Sequence, residues 1–328
     1  ASWVEEDIAV MVRRELLGHL LALSLLPGLP IPDASEEPGR VVVVKSRDLA
    51  PYNQAMEGLR RTLLAHDPAL AVQEVQFPQS ESMEKAFLEA LEKSRPDLIV
   101  TIGTQATRAV GRRITGVPVV FSLVLMSSDS EALFRQRPPN VTGAAMDVPI
   151  GVQFARMKEI IPDLKRVGVI YNPKMTGEVI PEARSAAAAG NLTLVEIPVA
   201  NEAQVMKALE GLKSRIDALW SVADSTVFTS RSVESILLLT LRDAIPFIGL
   251  SPSFVKAGAL LSFSCDYEDV GAQSGEMAVE ILKGKSPSDL PVAYPRHVSL
   301  FLNLNTAQTL HLEISQKIQA ESQIEFKR

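Results

Sequence analysis

Polar residues stand directly after most of the apolar runs in this chain. Ser46 and Arg47 follow the run 41–44, and Gly103, Thr104 and Gln105 follow 97–102. Ser122 falls within 117–123, Tyr171 and Asn172 end 167–171, and Asp224 and Ser225 follow 217–222. Asp266 and Tyr267 come after the run 260–263 and just before a helical pattern. Hydroxyls and helix N-terminal amides of the kind present at Ser46, Thr104, Gln105 and Ser122 suit a carboxylate. Asp224 and Asp266 suit an ammonium group. The two kinds together can receive a zwitterion. Tyr52, Tyr171 and Tyr267, with Phe121, are candidate walls for an apolar ligand body. Thr104, Asp224 and Asp266 also read as helix caps, and Tyr171 as a strand-end core residue.

Other chemistry is excluded motif by motif. A dinucleotide fold needs G-x-G-x-x-G after its first strand. Here 41–44 is followed by Lys45-Ser46-Arg47-Asp48. Gly284-Lys285-Ser286 ends like a phosphate-binding loop, but position 279 is Val and the triplet follows a helix. Gly271 and Gly275 around Ser274 lie inside a helical pattern, unlike a nucleophile elbow. Cys265, the single cysteine, has no histidine near it, and the four histidines form no cluster. No metal or cofactor is therefore expected, and no nucleophile–base pair is visible. The expectation is a binding protein, not an enzyme.

The elements that must hold these residues alternate. The runs 41–44, 72–77, 97–102, 117–123 and 140–145 read as strands, with helices over 51–65, 82–91 and 105–113 between them. The pattern then repeats. Strands are expected over 167–171, 192–198, 217–222, 246–250 and 260–263, with helices over 154–161, 177–189, 202–214, 227–243 and 269–283. A late strand over 298–302 and a tail helix over 306–319 complete the chain. Strands that alternate with helices in this way form parallel sheets covered on both faces. The fold class is α/β, with two Rossmann-like lobes.

Composition agrees. A length of 328 residues suits two domains, and 46% apolar residues suffice for two cores. Thirty-three basic against 39 acidic residues give a net charge of −6, which disfavours nucleic acid as a partner. The first 39 residues differ from the rest. Arg13 and Arg14 precede an apolar run over 16–26, and Pro27, Pro30, Pro32 and Ala34 follow. This is the pattern of a secretory signal peptide, and the run is too short to span a bilayer. The protein is expected in the periplasm or otherwise outside the cytoplasm, soluble after the signal is removed.

Several stretches together resemble the periplasmic substrate-binding proteins of ABC transporters, in the branch associated with aromatic and other hydrophobic amino acids. They are RPDLIVTIGTQATRAV (95–110), GVPVVFSLV (116–124), NVTG (140–143), IPDLKRVGVIYNP (161–173), DALWSVADSTV (217–227) and the long run 245–292. The resemblance implies a type I binding-protein fold whose lobes are joined by a three-crossover hinge, near 146, 267 and 292. Lobe 1 would comprise 40–146 and 268–292. Lobe 2 would comprise 147–267 and 293–304, with 305–328 as a helical tail. It also implies a small-molecule ligand, a membrane permease as partner, and a monomer. Family-like ligand contacts would fall on Thr104, Gln105, Ser122, Asn172, Asp224 and Asp266. One departure stands out: the acid–proline pair common after the fourth strand is replaced by Leu125-Met126-Ser127. The segment 126–138 is therefore expected to form a rim loop of different shape. A ligand-sensing domain presenting its solute to a receptor is the alternative function, and an enzyme on the same two-lobed fold the more distant one.

Overall fold

The structure, a computed structural model, describes residues 39–126 and 137–326. The expected signal peptide, up to Pro38, and the middle of the expected rim loop lie outside the described residues. The chain opens with β1 (Arg40–Lys45), α1 (Ala50–His66), β2 (Ala71–Gln76), α2 (Glu81–Lys93), β3 (Leu98–Ile102), α3 (Thr104–Arg113), β4 (Val119–Val124) and β5 (Val141–Ala145). These strands form one sheet in the order β2-β1-β3-β4-β5, parallel throughout. β1, β3, β4 and β5 are buried almost end to end, as strands covered on both faces must be. Side-chain alternation splits the four valines of β1. Val41 and Val43 enter the core beneath α1, while Val42 and Val44 enter the core beneath α2 and α3.

The second unit runs α4 (Ile150–Ile160), β6 (Arg166–Tyr171), α5 (Val179–Ala189), β7 (Thr193–Pro198), α6 (Val205–Leu212), β8 (Ala218–Trp220), α7 (Ser230–Arg242), β9 (Phe247–Gly249), α8 (Pro252–Ala257) and β10 (Leu261–Cys265). After it come α9 (Tyr267–Leu282), β11 (Val298–Asn303), α10 (Leu304–Thr309), α11 (Gln316–Glu321) and β12 (Ser322–Phe326). The second sheet has the order β7-β6-β8-β9-β10-β11-β12. Its first five strands repeat the plan of the first sheet, and β11 then joins antiparallel to β10. The expected α/β class with two parallel-sheet lobes is the one observed.

The tail differs from the helix expected over 306–319. Leu310 closes α10, and His311 takes a left-handed φ of 56° that an α-helix cannot continue. Leu310 and Ile318 then drop into the core of the second sheet. The last segment, polar enough to read as a solvated helix, pairs in parallel with β11 as an edge strand. The short helix α8, opened by Pro252, was not foreseen.

The chain passes between the sheets three times: over 146–149, at 266, and over 294–297. The second passage sends α9 back onto the first sheet, where it packs along α1. This contact is unusually close. A Cβ added to Gly271 would lie 2.0 Å from the Ala55 carbonyl oxygen, and one added to Gly58 would lie 1.9 Å from that of Glu268. Only glycine leaves room for backbone against backbone here. Replacing Gly271 by Ala must therefore push two helices apart, not merely shift a side chain. The expected loss in denaturant unfolding is about 3 kcal/mol. Gly151→Ala, whose Cβ meets nothing within 4 Å, serves as the control and is expected to leave stability unchanged or slightly raised.

Candidate functional site

A cavity of about 450 Å³ opens where the three crossovers meet. The first contributes Asp147, Val148 and Pro149, the second Cys265 and Tyr267, and the third Tyr294. Lobe 1 adds Leu125 and Met126 beyond β4. Lobe 2 adds Glu178, Val179 and Glu182 at the start of α5, Ser221, Val222 and Ala223 beyond β8, and Ser251 beyond β9. Trp220 and Phe263, both almost fully buried, form apolar wall, while Tyr294 is 47% exposed.

Local chemistry holds this lining in place. Trp220 donates its indole N–H to Gln153 Oε1 at 2.9 Å, and Gln153 Nε2 donates to the Val148 carbonyl at 2.8 Å. Phe154 meets the Trp220 ring edge to face, with centroids 5.1 Å apart. The first crossover, α4 and the end of β8 are thereby joined. At the end of β4, Leu123 sits at φ 53° and the register with β5 slips between Ser122 and Val124. This bulge re-aims the chain where the acid–proline pair is missing, and Leu125 and Met126 line the cavity beyond it. The Met126 amide donates to Asp147 Oδ2 at 2.7 Å, so the rim is fastened to the first crossover.

The residues singled out from sequence fall into separate places. Ser46, Tyr52, Thr104 and Gln105 gather at the ends of β1 and β3. Gly103 caps α3 at φ 90° and has no side chain to offer. Ser46 Oγ substitutes, accepting the Ala106 amide at 3.0 Å. A Cβ at position 103 would lie 2.6 Å from Tyr52 Oη, so the ring is seated on this helix start. Burial pushes the Tyr52 phenol above its ordinary value, opposed by the charge of Arg47. Ser122 is fully buried, and its Oγ has no hydrogen-bond partner among the described residues. Tyr171 is half-buried against the second core, and burial followed by the charge of Glu196 raises its phenol. None of these lines the cavity, and neither do Asn172, Asp224 and Asp266; Tyr267 does.

Both carboxylates expected to meet an ammonium group have other tasks. Asp224 is 1% exposed. Its Oδ2 accepts the Asn172 amide and the Thr176 hydroxyl, each at 2.6 Å, and its Oδ1 accepts the amides of Thr226 at 2.9 Å and Val227 at 3.2 Å. Asn172 adds to this knot by donating Nδ2 to Thr226 Oγ1 at 3.0 Å. Asp224 thus ties the loop after β8 to the loop before α5, the two loops that flank cavity residues 221–223 and 178–182. Asp266 is exposed and caps α9, accepting the Asp269 amide at 3.1 Å.

The carboxylates that do face the cavity are Asp147, Glu178 and Glu182. Sequence reading passed over them, although two signals were present. Asp147 follows the end of β5, one strand end not surveyed for ligand groups. Glu178 and Glu182 stand four apart at a helix start, hence on one face. Among the described residues no group of His, Cys, Asp and Glu could hold a metal ion. Cys265 also faces the cavity. Burial, reinforced by the charges of Asp147 and Asp266, pushes its thiol up to about 12.

Two parallel-sheet lobes, crossed three times and enclosing a cavity at the crossings, define the type I periplasmic binding-protein fold. The chain belongs to the ABC transporter substrate-binding protein family, which it matches over residues 51–324. It is 27% identical over 253 residues to a tyrosine-binding protein of Clostridioides difficile (strain R20291), covering 75% of this chain and 70% of that protein. The ligand-free, open structure of a substrate-binding protein with adhesive properties from Clostridium difficile superposes with a TM-score of 0.73 at 20% identity, covering 88% of this chain and all of that one. The ABC domain from Streptococcus pneumonia in complex with L-Trp gives 0.61 at 21% identity, covering 88% of this chain and 99% of that one. Proteins of this family are extracytoplasmic, bind small solutes and work with ABC permeases. No helix among the described residues is long and apolar enough to cross a membrane.

Two measurements check this geometry. Asp224→Ala strands four donors, three of them backbone amides, and is expected to cost about 3 kcal/mol in denaturant unfolding. The Cys265 thiol, raised to about 12, stays protonated in the folded protein. A thiol reagent at pH 8 should label it far more slowly than in the unfolded chain. Because the folded value lies above the unfolded one, the thiol's contribution to stability should be constant below about pH 8.5 and be lost as pH rises toward 12.

Proposed function

We propose that the protein captures a small amine-bearing solute with an apolar or aromatic body, such as a hydrophobic amino acid, and delivers it to a membrane permease. One observation carries this reading: the cavity sets aromatic and aliphatic walls (Trp220, Phe263, Tyr267, Tyr294, Val179) against carboxylates (Asp147, Glu178, Glu182). Apolar area supplies the affinity, and a few polar groups fix the orientation. The relatives named for tyrosine and bound to L-Trp support the choice of solute class. Ligand groups that touch both lobes and the crossovers favour the closed arrangement, which a permease then reads. Transport, rather than catalysis, fits the lining. Its one thiol is held protonated, and among the described residues no histidine lines the cavity. The protein acts as a soluble extracytoplasmic monomer after loss of its N-terminal signal. Ser46, Thr104, Gln105 and Ser122 remain candidates for contacts from lobe 1 when the lobes close.

A thermal-shift panel of amino acids, small peptides, sugars and purines tests the proposal. A ligand present at a hundred times its Kd stabilises the folded state by about 2.7 kcal/mol. Apolar or aromatic amino acids and their amine relatives are expected to raise Tm. A shift with sugars or purines alone would overturn the assignment.

A further inference from the structure

The two lobes give the cavity walls of different stiffness. Lobe 2 supplies rings that are held in place. Trp220 is almost fully buried, is fixed at its indole N–H by Gln153, and meets Phe154 edge to face. Phe263 is packed into the core of the second sheet. Lobe 1 supplies two methionines, Met126 beyond β4 and Met146 where the first crossover begins. Their backbones are pinned. The Met126 amide donates to Asp147 Oδ2 at 2.7 Å, and the Met146 amide to the Val124 carbonyl at 3.0 Å. Their side chains are freer. Each is only partly buried, Met126 against the core beneath α2 and α3, Met146 against the core beneath α1.

The bulge in β4 decides where Met126 goes. Up to Phe121 the side chains alternate, Val119 and Phe121 entering the core beneath α2 and α3 and Val120 the core beneath α1. The register then slips between Ser122 and Val124. Leu123 enters the core beneath α1, and Val124 enters the other. An unbulged strand would send residues 123 and 125 to the α2–α3 side. The slip exchanges the two faces, and Met126 follows Val124.

Methionine is unbranched, turns about three side-chain bonds and carries a polarisable sulfur that favours contact with an aromatic ring. A pinned backbone with such a side chain makes a wall that keeps its place and changes its shape. We propose that Met126 and Met146 receive the solute's apolar body, opposed by the rigid rings of Trp220 and Phe263, and set the range of sizes admitted. The site then accepts a graded series of apolar and aromatic side chains instead of one ring. The inference rests on the reading of this cavity as the solute site and assigns the residues that decide its size selectivity.

A size series decides it. Titration calorimetry on the full chain uses L-valine, L-leucine, L-phenylalanine, L-tyrosine and L-tryptophan. The unaltered protein is expected to bind several of them within about tenfold of one another. Met126→Ala and Met146→Ala remove part of the wall, and each is expected to move the preference between leucine and tryptophan about tenfold toward tryptophan. Met126→Ile changes little volume but stiffens the side chain, and is expected to narrow the series. Each comparison is a ratio of two solutes on one variant, so any loss of folded protein cancels. One solute bound about a hundredfold more tightly than the rest, or a series that Met126→Ile does not narrow, would overturn the adaptable wall and leave amino-acid capture standing. Ratios unchanged in both alanine variants would overturn the assignment of the two methionines. No binding by any member of the series would overturn both this inference and the proposed function.

Discussion

The carbonyl oxygen of Ala55 occupies the space that a side chain at residue 271 would need. Two helices can meet this closely only if one side of the contact is bare backbone, and much of the architecture follows from that. The helix α9 leaves the second sheet at Cys265 and must find its place on the first. Its glycines let it sink onto α1, and Val270, Met277 and Ile281 then complete the core beneath β1, β3 and β4. Once α9 is fixed to lobe 1, the segments on either side of it become struts between the lobes. Arg296, in the third crossover, ion-pairs with Asp269 and Glu276 of α9 and so fastens a second strut to the same helix. The cavity lies where these struts converge, and its shape is set by the seating of α9.

Within that frame, carboxylates divide into two sorts. Asp224 is saturated by four protein donors and stiffens the loops that present the lining. Asp147 accepts an amide but keeps its face to the cavity, and Glu182 stands on the first turn of α5. The first sort spends its charge on architecture, and the second lines the cavity.

Much of the fold was legible in the sequence because parallel strands covered on both faces read as unbroken apolar runs, 41–44 and 97–102 being the plainest. The repeated strand–helix alternation was equally open to reading. The tail was not: β12 is an edge strand held by main-chain bonds to β11, and its alternation Gln323-Ile324-Glu325-Phe326 is too short to stand out from a polar tail. The site was legible only in its neighbourhood. Strand ends were the right region, but which side chains face the cavity depends on directions that a sequence does not display. Asp224 looked like a ligand group or an Asx turn, and the amides of Thr226 and Val227 show the turn. Asp147 belongs to the first crossover and is also cavity wall. Nothing in the sequence could separate those roles, because the crossovers serve as both connection and lining.

The discontinuous course of the chain also bears on how the molecule forms. The first core needs residues up to Ala293, which bridges to Ala144 beside β5. The second needs β11 and gains its edge from residues 322–326. Neither core is closed by a contiguous stretch, so a chain emerging from its N-terminus cannot finish lobe 1 and then begin lobe 2. Long-range pairing of this kind raises contact order and slows folding. The two lobes are therefore expected to acquire native protection late and nearly together, as one kinetic unit despite their two separate sheets.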